Sequence, residues 1–155
     1  MIDSKLFRKA MGRFATGITV VSTLDQKTEE VKGITVNAFM SISLDPYLIA
    51  ISIRNQSSMI TQLNENDQFG VSVLGEDQEK YSMIFANQIK SDQPVEFDWV
   101  DNTPVLPDAL VQLVCEKESE VVAGDHTVYI AKVKKIVTKE GDPLIYYNGE
   151  YRELN

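Results

Sequence analysis

The chain holds a single histidine, His126, directly after Gly124-Asp125, a pair that favours a tight turn. An imidazole there can hydrogen-bond a ligand or supply a proton near neutral pH, or it can simply cap the turn. A second set of candidates lies along GITVNAFMSISLDP, residues 33–46, where Thr35, Asn37, Ser41 and Ser43 place small polar groups at alternate positions. Such groups, with main-chain N–H donors beside them, could read the carbonyl and ring-nitrogen edges of a planar heterocycle. The same spacing also suits the solvent face of an amphipathic strand. In SIRNQSSM, residues 52–59, Arg54 precedes Ser57 and Ser58 at a predicted helix start. Free N–H groups and the helix dipole favour an anion there, although plain serine caps beside an exposed arginine fit equally. In YYNGEYREL, Tyr147 and Tyr151 flank Gly149, giving rings able to stack on a heterocycle or to seal a subunit interface.

Several other chemistries are excluded. The glycines, at positions 12, 17, 33, 70, 75, 124, 141 and 149, are never separated by one residue, so no GxGxxG fingerprint exists. GRFATGIT has the glycine spacing of a P-loop but puts Ile18 where the phosphate-binding lysine must stand, and GVSVLG misses the second glycine of a nucleophile elbow by one place. Cys115 is the one cysteine, so no intrachain disulfide can form, and one histidine cannot build the usual zinc sets. Its setting, VQLVCEKE, marks it as apolar core. A net charge of -8 argues against a nucleic-acid partner, and any bound phosphate must be held by a local site.

These candidates have to be positioned by one domain of 155 residues, long enough to bury a core. Residues 3–14 predict a short amphipathic helix, capped by Asp3 or Ser4, with Leu6, Phe7, Ala10, Met11 and Phe14 at helical spacing. TGITVVST and VKGITVNAF predict two strands joined by the polar LDQKTEE, and LIAISI a strand buried on both faces. SSMITQLNEN and EDQEKYSMIFANQ predict two further helices around the strand QFGVSVL. Residues 88–108, rich in Asp, Pro and Asn, predict a long connection. ALVQLVCEKESEVV and TVYIAKVKKIV predict a long hairpin across Gly124-Asp125, and PLIYYNGEYREL one last strand with a Tyr-rich tail. Six or seven strands without βαβ alternation point to a mostly antiparallel barrel with short helices. The amino-terminal stretch lacks a secretory signal, and no apolar run could span a bilayer, so the expected setting is the cytoplasm without a membrane partner.

Together, FRKAMGRFATGITVVST, GITVNAFMSISLDP, YSMIFANQ, AGDHTVYIAKV and PLIYYNGEYREL resemble the short-chain flavin reductase family, in that family's order and over nearly the whole chain. The likeness is to the reductase components of two-component phenol and 4-hydroxyphenylacetate hydroxylases. It implies the FMN-binding split-barrel fold, an antiparallel split β-barrel, and a homodimer with flavin at or near the interface. It also implies FMN or FAD as acceptor, NADH or NADPH as donor, and a separate flavin-dependent monooxygenase that receives reduced flavin. By the family's pattern, Thr35, Val36, Asn37 and Ala38 would border the isoalloxazine ring, with Ser41 close by. Ser52, Ile53, Arg54, Ser57, Ser58 and Met59 would wrap the ribityl-phosphate end, and Phe85 would lie near the flavin. His126, Tyr147, Gly149 and Tyr151 would line the place where nicotinamide stacks, with His126 docking the nicotinamide and relaying a proton. The resemblance leaves three other readings in play: a protein that binds FMN without turning over NAD(P)H, a pyridoxamine-phosphate-type oxidase, and a plain dimeric structural module. The shortage of Lys and Arg disfavours the oxidase.

Overall fold

The structure, a computed structural model, describes residues 1–154. Helix α1 (Ser4–Met11) starts at Asp3, whose carboxylate accepts the Leu6 N–H at 2.8 Å. It buries none of its side chains, and Leu6, Phe7 and Met11 stand exposed. The β-branched run after Gly17 forms β1 (Thr19–Leu24), and a turn pairs it with β2 (Val31–Val36). The stretch VKGITVNAF is therefore not one strand: it ends at Val36, whose carbonyl accepts the Thr19 hydroxyl at 2.6 Å. Asn37 and Ala38 leave the sheet, and the chain resumes as β3 (Phe39–Leu44), paired antiparallel with β4 (Tyr47–Arg54).

The remaining elements are α2 (Met59–Glu65), β5 (Gln68–Val73), a 3-10 turn (Glu76–Gln78) and α3 (Glu79–Phe85). They are followed by β6 (Asp98–Val100), β7 (Thr103–Val105), β8 (Val111–Ala123), β9 (His126–Thr138), β10 (Ile145–Tyr147) and β11 (Glu150–Arg152). Residues 88–108 thus carry a small hairpin where a plain connection was expected. Its turn uses Asp101 and Asn102 at φ 47° and 60°, a left-handed pair without glycine that leaves little mark on the sequence. The tail likewise folds into a hairpin about Asn148-Gly149, at φ 54° and 76°. Asn-Gly is a strong hairpin signal, so the two strands there were readable.

Seven strands make one antiparallel sheet in the order β2-β1-β5-β8-β9-β4-β3. The two edges, β2 and β3, are consecutive in the chain but share no hydrogen-bonded ladder, so no closed barrel forms. The sheet nevertheless curls: Val36 of β2 and Ile51 and Ile53 of β4, remote in strand order, share one apolar cluster with Met59 and Leu63 of α2. A second cluster, built on Ile18, Val20, Leu74, Leu106 and Leu144, takes the opposite face under α3 and the carboxy-terminal hairpin. Val20 and Val21 point into different clusters, as the alternation of a strand requires. Cys115 is fully buried in the first, and burial pushes its thiol up to about 12.

Where β7 crosses β5, Ser22 Oγ donates to the Pro104 carbonyl at 2.6 Å, and only a glycine at position 70 leaves room for that carbonyl. A Cβ on Gly70 would also lie 2.7 Å from Val105 Cγ1. Gly70→Ala is expected to lower stability by about 1–3 kcal/mol in urea unfolding, since overpacking forces backbone shifts. Gly17→Ala, with nothing within 4 Å of its added Cβ, serves as the near-neutral control.

The turn between β1 and β2 is pinned by Asp25, which accepts from the Lys27 N–H at 2.9 Å, the Thr28 N–H at 3.3 Å and Gln62 Nε2 at 3.0 Å. The Lys27 N–H bond, followed by those from Gln62 and Thr28, holds this carboxyl below its usual range despite the opposing desolvation. A depressed folded-state pKa stabilises the fold above the ordinary aspartate range, and that stabilisation is lost as pH falls through the folded value. Asp25→Asn should therefore flatten the acid limb of the thermal stability-pH profile, measured between neutrality and the carboxylate range.

Candidate functional site

The carboxy-terminal ends of β2 and β4 and the start of β9 converge on a cavity of about 450 Å³. Its wall contains Thr35 and Val36 from the end of β2, Asn37 and Ala38 from the crossing that follows, Ser52, Ile53 and Arg54 from β4, Ser57 from the α2 approach, and His126. The volume falls within the span of about 300–1,000 Å³ usual for small-molecule sites. Asn37 and Ala38 are exposed, and among the described residues neither N–H finds a hydrogen-bond partner. Their carbonyls are engaged, by Phe39 N–H at 3.0 Å and Ser52 N–H at 3.1 Å, which fixes the direction of this short crossing. The wall therefore presents unpaired main-chain donors beside apolar side chains, a lining suited to the polar edge of a flat heterocycle.

Arg54 supplies positive charge at one end of the cavity, with Nη2 3.5 Å from Gln56 Oε1. Ser57 Oγ accepts the Met59 N–H at 3.1 Å, so it caps α2 while still reaching the wall. Ser58 and Met59 do not line the cavity: Ser58 faces solvent, and Met59, 2% exposed, belongs to the core. Ser41 is absent because it stands further along exposed β3, opposite Ile49, four residues down β4 from the cavity's Ile53. Phe85 is also elsewhere, packed against Phe97 at 5.9 Å between centroids and against the bare backbone of Gly33, on the far side of β2.

His126 is half-buried, paired in register with Arg54 and Ala123, and its Nδ1 lies 2.7 Å from Asp125 Oδ1. That hydrogen bond, reinforced by the charges of His126 and Arg54, holds the Asp125 carboxyl below its usual range. The tail residues expected beside His126 are not in its cavity within one chain. Bonds from Thr16 to Tyr146 and from the Asn148 N–H to the Gly12 carbonyl carry the β10–β11 hairpin to the amino-terminal side of the sheet. There Tyr151 lines a second cavity of about 160 Å³, its hydroxyl 2.8 Å from Ser82 Oγ and its ring edge-on to Tyr146. Tyr147 carries Arg152 over its ring, and Gly149 sits exposed in the turn. Thr35 and Asn37 border both cavities, and the Thr35 hydroxyl donates to the Ser82 carbonyl at 2.7 Å.

Sequence reasoning missed Ile34 and Gln56 on the wall, and Asn55, which hydrogen-bonds the turn that carries His126. Gln56 was two places from a named cation and could have been found. Asn55 could not, because its partners lie 69 and 72 residues away.

Residues 11–155 match the family model described as flavin reductase like domain. An NADH-dependent flavin reductase of Rhodococcus sp is 41% identical over 148 residues, covering 95% of this chain and 84% of the relative. The reductase component of 4-hydroxyphenylacetate 3-monooxygenase from Thermus thermophilus is 35% identical, over 96% of this chain and 95% of the relative. The solved structure of flavin reductase PheA2 in its native state superposes with a TM-score of 0.95 at 42% identity, covering 99% of each chain.

With Arg54 as the cation of this cavity, Arg54→Ala should weaken FMN binding about tenfold, as the loss of a charge-assisted hydrogen bond would. Riboflavin, which lacks the phosphate, should bind both proteins alike when flavin fluorescence is titrated.

Proposed function

The chain belongs to the flavin reductase-like family, and on that premise we propose that it passes hydride from NADH to a flavin, FMN or FAD, and supplies the reduced flavin to a separate monooxygenase. The observation that carries this reading is the convergence of the Asn37-Ala38 crossing, Arg54 and His126 on one cavity. When bound, nicotinamide and flavin supply the redox chemistry themselves. The chain's own residues have the tasks of binding and alignment. The Asn37 and Ala38 N–H groups are suited to hold the ring edge and to offset negative charge there. Arg54 and Ser57 suit the phosphate end, and the buried side chains of Val36 and Ile53 give the wall its apolar part. His126 docks the dinucleotide.

The open sheet with its unpaired β2 and β3 edges is read as a split barrel. Its outer face fits a homodimer: Met40, Ile42 and Leu44 of β3 and Tyr47 of β4 are large apolar residues left exposed, as are Leu6, Phe7, Met11 and Phe14. A groove of about 360 Å³ on that side reaches from Phe14 to Asn37, Ala38 and Ser52, which also wall the cavity. A second copy seated there would cover the groove and close over Asn37, Ala38 and Ser52. Among the described residues no helix is long and apolar enough to cross a membrane, and the proposed setting is the cytoplasm, where NADH is available.

Purified protein should consume NADH, followed by loss of its absorbance, only when FMN or FAD is added. His126→Ala should raise KM for NADH more than KM for flavin. Flavin binding without any flavin-dependent oxidation of NADH or NADPH would instead identify a flavin carrier of the same fold.

A further inference from the structure

Asn55 fastens the turn that bears the histidine. Its N–H donates to the Asp125 carbonyl at 2.9 Å, its Nδ2 donates to the Gly124 carbonyl at 3.3 Å, and its Oδ1 accepts from Thr127 Oγ1 at 2.6 Å. One residue at the end of β4 thus brackets the Asp125-His126 pair from both sides. The Asp125 carboxylate, 2.7 Å from His126 Nδ1, can only accept, so the proton of that bond belongs to the imidazole. In a neutral ring this leaves Nε2 with its lone pair free. Nε2 has no hydrogen-bond partner among the described residues, and the ring lines the cavity. The other charged group facing the ring is Arg54, opposite it in register, which has no acceptor to offer.

We infer that Asp125 and Asn55 are positioning residues that hold His126 as the Nδ1–H tautomer and so present Nε2 to the cavity as a hydrogen-bond acceptor. The complementary group on the ligand is an amide N–H donor, which the carboxamide of a nicotinamide provides. That last identification rests on the NADH reading above. His126 then selects and orients the dinucleotide, and its neutral form needs no proton to give.

The single histidine makes the test direct, because a long-range nitrogen-15 NMR spectrum of the full chain contains one imidazole. At about pH 9, well above the ordinary imidazole range, the wild-type spectrum should show a protonated Nδ1 and an unprotonated Nε2. Asp125→Ala should shift both signals toward the averages of a tautomer mixture, and Asp125→Asn, which keeps an acceptor oxygen, should restore most of the pattern. The Asp125 side chain is 90% exposed, so these variants keep the fold even if Asn55→Ala does not. A wild-type ring protonated on Nε2, or already averaged, would overturn the inference whatever the enzyme assay shows. Kinetically, Asp125→Ala should raise KM for NADH about two- to tenfold, the size of one lost hydrogen bond, with KM for flavin and kcat little changed. An unchanged KM for NADH in a variant with the averaged spectrum would remove the positioning role while leaving hydride transfer itself standing.

Discussion

Two residues of backbone, Asn37 and Ala38, carry the chain from one edge of the sheet to the other. A polar main chain out of register with any strand must find partners in water or in a ligand. Here the carbonyls are engaged within the protein and the N–H groups are not, so the crossing is rigid yet chemically unfinished. Much of the site follows from this. The cavity lies beside the crossing because the sheet stops there, and the groove on the other side borders the same two residues.

Rigidity elsewhere keeps that crossing in place. The sheet is packed on both faces, with one apolar cluster beneath α2 and another beneath α3, so β1 and β5 are fixed between them. On the second face, the hydroxyls of Thr35, Ser82 and Tyr151 tie β2 to α3 and α3 to the carboxy-terminal hairpin. On the first, Asn55 joins the end of β4 to the β8–β9 turn. Both wall segments of the cavity are therefore anchored by side-chain hydrogen bonds made outside it, which is how a weakly bound visitor can still meet a pre-formed surface.

Much of this architecture was legible in the residues. The long hairpin about Gly124-Asp125, the strand at LIAISI and the start of α1 at Asp3 all follow from alternation, turn chemistry and capping. The break after Val36 was not, because VKGITVNAF keeps a strand-like pattern through it and only partners on β1 and β4 end the ladder. Within the site, the residues near Asn37 and Arg54 lie together because they are short segments contiguous in sequence. Phe85 and Met59 were displaced by packing: the ring needs the space over Gly33, and the methionine fills the core beneath α2. Tyr147 and Gly149 were grouped with His126 by family order, whereas backbone bonds to Gly12 and Thr16 take their hairpin to the other side of the sheet.

The interior position of Cys115 matters for a protein that handles reduced flavin in air. Dihydroflavin that escapes its acceptor reacts with dioxygen and releases hydrogen peroxide, which attacks thiolates far faster than thiols. A sulfur with no exposed surface and a pKa near 12 offers almost no thiolate at physiological pH. Oxidation is thereby kept off the buried sulfur and left to a thioether outside the proposed dimer face, that of the exposed Met1, where repair by sulfoxide reductases remains open.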